Sequence, residues 1–159
     1  MKWHFALLAV LSFCAQSKPD PSVYLLNTVP LHFEPSLQAG TYEGFGLSYN
    51  VAIDNRQMTL NFNHEPLPLR VEFVAANAQA QAKGAISMPG LSHYLTGSSA
   101  NHWRKGVPHY ARVAISELYR GIDLIFYGNH GELEFDFRIR PGSRADKIQL
   151  DYHGADSIQ

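Results

Sequence analysis

Ile122-Asp-Leu-Ile-Phe-Tyr127, then Gly128-Asn-His-Gly131, then Glu132-Leu-Glu-Phe-Asp-Phe-Arg-Ile-Arg140 is the stretch that decides the fold. In its second arm Leu133, Phe135, Phe137 and Ile139 alternate with charged residues. Neighbouring side chains on a strand point to opposite faces, so one face is apolar and the other charged. Gly and Asn accept positive φ, which suits the break at 128–131 to a tight turn. A β-hairpin with one buried face is therefore predicted. With Asn129 and His130 at the turn centre, Phe126 faces Leu133, Leu124 faces Phe135 and Ile122 faces Phe137. Each such side chain contributes roughly 1.5–3 kcal/mol when fully buried. The same register sets Asp123 opposite Asp136, a like-charge pair that is unfavourable unless screened. An Arg-screened surface pair, with Arg138 on the same face, is the expected reading. A Ca²⁺-type site is the alternative, although such ions require six or more oxygen ligands.

Working outward, Leu47 to Ile53 and Met58 to Phe62 alternate in the same way around Asp54-Asn55-Arg56, giving a second hairpin. Leu69, Val71 and Phe73 predict another strand, Val107 to Leu118 a further one with a turn near Glu117, and Ile148 to Tyr152 a last one. Val23 to Phe33 is apolar but broken by Pro30, which suits an edge or irregular strand. Gly40, Gly44 and Gly46 mark a loop. Ala75 to Ala85 has helix propensity but no apolar stripe, and reads as a loop or weak strand, with a short helix as the alternative. Pro89-Gly90 reads as a turn. The expectation is an all-β, antiparallel, sandwich-like domain built from hairpins.

Residues 1–17 begin with Met1-Lys2, continue with an apolar run from Phe5 to Phe13 too short to span a bilayer, and end Ala15-Gln16-Ser17. This is the pattern of a secretory signal peptide, leaving a single β-rich domain over 18–159 that is secreted or held at the cell surface. Phe13 is too bulky for the lipoprotein alternative, in which Cys14 would carry the lipid. Cleavage removes the only cysteine, so no disulfide framework or thiol chemistry is expected. Losing Lys2 leaves 12 basic against 14 acidic residues with no run of either sign, which argues against a nucleic-acid partner. The mature chain has no second long apolar run, hence no expected transmembrane segment.

Chemistry is sparse in the sequence. The seven histidines after residue 17 stand in no H-x-H or H-E-x-x-H spacing, so no metal ligand is assigned. There is no G-x-S-x-G elbow, P-loop or dinucleotide fingerprint, and no cofactor is expected. Glu132, Glu134 and Asp136 share a strand face, an arrangement open to a carboxylate glycoside hydrolase, but alternating charge on a solvent-facing strand gives the same pattern. Trp103, Arg104 and Tyr110 mix aromatic and cationic groups, and form a candidate ligand contact for a glycan. The competing reading has Trp103 plugging the end of the sandwich with its N–H bonded to backbone.

Five motifs go further: V-P-L-H-F-E-P (29–35), W-R-K-G-V-P-H-Y-A-R-V (103–113), Y-R-G-I-D-L-I-F-Y-G-N (119–129), L-E-F-D-F (133–137) and P-G-S-R-A-D-K-I-Q-L-D-Y-H-G-A-D (141–156). In this order they resemble the uncharacterised N-terminal domain of bacterial cell-surface proteins that carry SBBP-type β-propeller repeats. The resemblance covers most of residues 29–156. It implies an exported β-rich module at the head of a larger surface protein, and it supplies no catalytic residues. Members usually carry S-F-E-P where this chain has H-F-E-P, and they continue well past G-A-D. The resemblance therefore implies truncation at the C-terminus and a sheet lacking closing strands, whose open edge would be adhesive. The expected function is a non-enzymatic module for assembly, adhesion or protein–protein contact, with other surface proteins or glycans as partners. A carbohydrate-binding module is the alternative, and a glycoside hydrolase a more remote one.

Overall fold

The computed structural model describes residues 30–154. The signal-peptide reading of 1–17, Cys14, the beginning of the Val23–Phe33 strand and the end of the G-A-D motif lie outside them. The described residues form an antiparallel sheet of β1 (Phe33–Pro35), β2 (Tyr42–Phe45), β3 (Tyr49–Ile53), β4 (Gln57–Phe62), β5 (Leu69–Phe73), β6 (Ala82–Tyr94), β7 (Arg104–Tyr119), β8 (Ile122–Asn129), β9 (Glu132–Ile139) and β10 (Leu150–His153). The only helical segments among them are single 3₁₀ turns at Ala100–His102 and Ala145–Lys147. The all-β class expected from alternation is the observed one.

Two layers form, but from one curled sheet rather than two separate ones. The strand path runs β10-β5-β4-β3-β2-β1-β7-β8-β9. The long strand β7 is the hub, with β6 along one edge and β8 and then β1 along the other. The curl brings β5 against β8, where the rings of Phe73 and Phe126 lie 6.4 Å apart. It is held at the far end by the Tyr119 hydroxyl, which donates to the Gln149 carbonyl at 2.9 Å. The core between the layers contains Phe33, Val51, Ile53, Val71, Val113, Ile115, Leu118, Ile122, Leu124 and Phe126, all essentially inaccessible to water.

The central hairpin forms with a register two residues away from the expected one. Leu124 faces Phe137, Phe126 faces Phe135, and Asn129 faces Glu132. The turn is centred on His130 and Gly131, both at positive φ (50° and 84°), as a two-residue type I′ turn requires. Gly131 at the second central position is cheaper there than His130 would be, so the turn moves one residue along. A two-residue shift preserves which side chains face the core, because the strand period is two. It also removes the predicted like-charge pair: Asp123 now faces Arg138, and Asp136 faces Ile125.

The predicted burial of both arms holds only for β8. Leu133 and Phe137 are half-buried, while Phe135 and Ile139 remain 36% and 40% exposed. Among the described residues β9 is the end of the strand path and nothing pairs with its outer edge.

Other differences concern glycine. The Gly40–Gly46 loop contains β2, where Gly44 lets Phe33 pack close; an added Cβ would meet its ring at 3.0 Å. Pro89-Gly90 does not end a strand but sits within β6, which stays paired to β7 through an irregularity between Ser87 and Leu91. The expected turn near Glu117 is a bulge in β7, with Glu117 at φ 53°.

Candidate functional site

Trp103, Arg104 and Tyr110 are engaged separately. The Trp103 indole N–H donates to the Gly97 carbonyl at 3.3 Å, its ring is half-buried, and the Lys105 ammonium lies 4.7 Å above it. The Arg104 guanidinium lies over the Tyr94 ring. Tyr110 meets Tyr42 edge to face with centroids 6.0 Å apart, and its other neighbour is Gly84 on β6.

Asp123 and Asp136 also have different surroundings. Asp123 accepts the Glu117 backbone N–H at 2.8 Å and pairs with Arg140 at 3.2 Å, closing the bulge of β7. Asp136 and Glu134 lie beside Tyr127 on the outer face. Burial, then hydrogen bonding to these carboxylates and their charge, pushes the Tyr127 hydroxyl up to about 12. Glu134 also accepts a hydrogen bond from the Asn129 amide at 2.7 Å.

The convergence of chemically active groups lies elsewhere, at the joint between β1 and β7. Pairing of Phe33 with Tyr110 sets Glu34 opposite His109, and His32 shares the face of Glu34 two residues along. Ser92 and Tyr94, similarly spaced on β6, close over the carboxylate. The Glu34 side chain is only 3% exposed. Its Oε1 lies 3.4 Å from His32 Nε2, 3.1 Å from His109 Nε2 and 2.6 Å from the donating Ser92 hydroxyl. Its Oε2 accepts the Tyr94 hydroxyl at 2.6 Å. Burial pushes the Glu34 carboxyl up, but hydrogen bonds from Ser92, Tyr94 and His32 and the charge of His109 outweigh it and hold it below its ordinary value. Glu34 is thus a buried carboxylate kept ionised.

Ser92 Oγ also lies 2.7 Å from His109 Nε2. A serine nucleophile would need the carboxylate on the other ring nitrogen, where it fixes the tautomer. Here serine and carboxylate meet the same nitrogen, so the geometry is not that of a triad. No spacing rule reveals this cluster, because His109 is remote in sequence from His32 and Glu34. The one local signal is H-x-E on a strand, which places both side chains on one face.

A second feature is apolar. Where the layers part at the open end of the curl, a cavity of 560 Å³ is lined by Leu47, Met58, Leu60, Leu69, Leu133 and Phe135, among others. Glu132 and Tyr152 stand at its edge, and Leu47, Phe62 and Tyr152 are themselves substantially exposed.

A family model described as "Domain of unknown function (DUF7948)" matches residues 41–159. The chain belongs to that family. The match spans β2 to β10, so the cavity walls and His109 fall within the DUF7948 region, whereas Glu34 on β1 and His32 just before that strand precede it. No curated protein and no solved structure matches the chain significantly. Among the described residues no helix is long and apolar enough to cross a membrane, which does not bear on crossing by strands.

Proposed function

We propose that this chain is an exported, non-enzymatic β-module for protein–protein contact, of the kind that heads surface proteins with propeller repeats. Its contact surface is the open groove between β3–β5 and β9, and its partner is an extended segment with apolar residues at alternate positions. The observation that carries this reading is the incomplete cover of β9. Phe135 and Ile139 are exposed on an edge strand whose outward N–H and C=O groups have no described partner, beside a cavity lined with leucine. Such an edge takes up a strand readily: backbone hydrogen bonds supply affinity, and pockets for alternate side chains supply selectivity. Export rests on the composition of residues 1–17.

Panning a random peptide library against the purified chain tests the proposal. Enriched peptides should show apolar residues every second position and should lose binding to the Phe135→Lys variant. Peptides without that alternation, or equal binding to the variant, would contradict it. Self-association through β9, seen by sedimentation and abolished in the same variant, would replace the proposed partner with a second copy.

A further inference from the structure

We infer that His32, Glu34 and His109 bind a single divalent transition-metal ion of the zinc class, with Ser92 and Tyr94 orienting the carboxylate. This site is distinct from the groove and does not depend on the reading given to it. The three side chains each offer one ligand atom, and those atoms all lie within 4.8 Å of one another. Ligand atoms bound about 2.0–2.1 Å from a tetrahedral ion stand about 3.3–3.4 Å apart. The two nitrogen–oxygen separations here, 3.4 and 3.1 Å, are close to that edge length. The donor set also selects the ion: two imidazoles and one carboxylate suit zinc-class metals, whereas Ca²⁺ requires many oxygens.

The surroundings match what such a ligand set needs. A carboxylate that binds through one oxygen is held by hydrogen bonds to the other, and the Tyr94 hydroxyl supplies one to Oε2 while Oε1 faces the imidazoles. The His32 and His109 side chains are 28% and 18% exposed, which gives an ion a route from solvent to a carboxylate that is itself buried. Ser92 Oγ, within hydrogen-bonding distance of both Glu34 and His109, is placed to provide or hold the fourth ligand. The ligands come from β1, the residue just before it and β7, and the orienting groups from β6, so an ion here would pin the joint between β1 and β7.

Calorimetric titration of the metal-stripped chain with Zn²⁺ tests the inference, with Ca²⁺ as the comparison. One Zn²⁺ per chain should bind in the micromolar range or tighter, raise the melting temperature, and outcompete Ca²⁺. His32→Ala and His109→Ala should each weaken binding by more than about 100-fold, and Tyr94→Phe by about 10-fold, the scale expected for an orienting partner. His153→Ala, which alters a half-buried histidine beside Glu72 and Asp151, should change it less than about 2-fold. Absence of saturable binding overturns the inference, as does Zn²⁺ binding that survives both ligand substitutions or disappears with His153→Ala. If the substituted chains lose their β-sheet circular dichroism, histidine modification of the wild-type chain decides instead. Zn²⁺ should protect His32 and His109 but not His64 or His130, and failure to protect the first pair refutes the site.

Discussion

Gly84 on β6 lies against the ring of Tyr110 on β7, so close that a Cβ built on the glycine would come within 2.5 Å of ring carbons. The ring is also fixed by its edge contact with Tyr42 and cannot easily move aside. Gly84→Ala should therefore destabilise the fold by about 1–3 kcal/mol, the usual cost of overpacking. A urea midpoint unchanged from wild type would show that Tyr110 is freer than this packing implies.

The type I′ turn gives a prediction of opposite signs at adjacent positions. His130 sits at φ 50°, which Asn adopts more readily, so His130→Asn should stabilise the hairpin by about 0.5 kcal/mol. Gly131→Ala, at φ 84°, should cost about 1–2 kcal/mol. Chemical denaturation of both variants, with slopes matching wild type, checks the pair.

The two arms of the hairpin should respond unequally to truncation. Phe126 is 1% exposed, and Phe126→Ala should cost about 3–5 kcal/mol. Its cross-strand partner Phe135 lines the groove and is 36% exposed; Phe135→Ser should cost less than about 1 kcal/mol. Equal losses would mean that β9 is as much a part of the core as β8.

At the bulge of β7, the acceptor matters more than the cation. Asp123 receives the Glu117 N–H, and its side chain is 15% exposed, whereas Arg140 is 52% exposed. Asp123→Ala should lower stability by about 1–2 kcal/mol, and Arg140→Ala by less than about 1 kcal/mol with that small effect fading in high salt. Melting curves at low and high ionic strength separate the two.

Glu34 predicts a pH dependence. Its folded-state value lies below the ordinary 4.5, so the stability it contributes is complete above 4.5 and is lost as pH falls through the folded value. Glu34→Gln should cost about 1–3 kcal/mol near neutrality, and should flatten the decline in stability as the pH falls below 4.5. An unaltered acid limb in the variant would assign that decline to other carboxylates.

Local alternation made much of the architecture legible. The Leu47–Ile53, Met58–Phe62 and Leu69–Phe73 patterns each correspond to a strand, within a residue or two at the ends. The missed or misjudged elements lacked that pattern for physical reasons. In Tyr42–Phe45 the inward position is Gly44, vacated for the Phe33 ring, so a hydrophobic residue is missing where alternation requires one. In Ala82–Tyr94 the irregularity at Pro89-Gly90 resembles a turn locally, and only the continued pairing with β7 makes it a strand. Trp103, Arg104 and Tyr110, close in the chain and read together from it, are given separate neighbours by the fold.

The amino-acid order alone determined the class of structure and the core face of each long strand, because a period of two and turn chemistry are local properties. Tertiary structure decided what depends on residues distant in the chain. It chose between hairpin registers two residues apart, which bury identical faces and differ in turn strain and cross-strand charge. Among the described residues it left the outer edge of β9 unpaired, and it brought His32 and Glu34 to His109 through the pairing of β1 with β7, a juxtaposition no sequence spacing encodes.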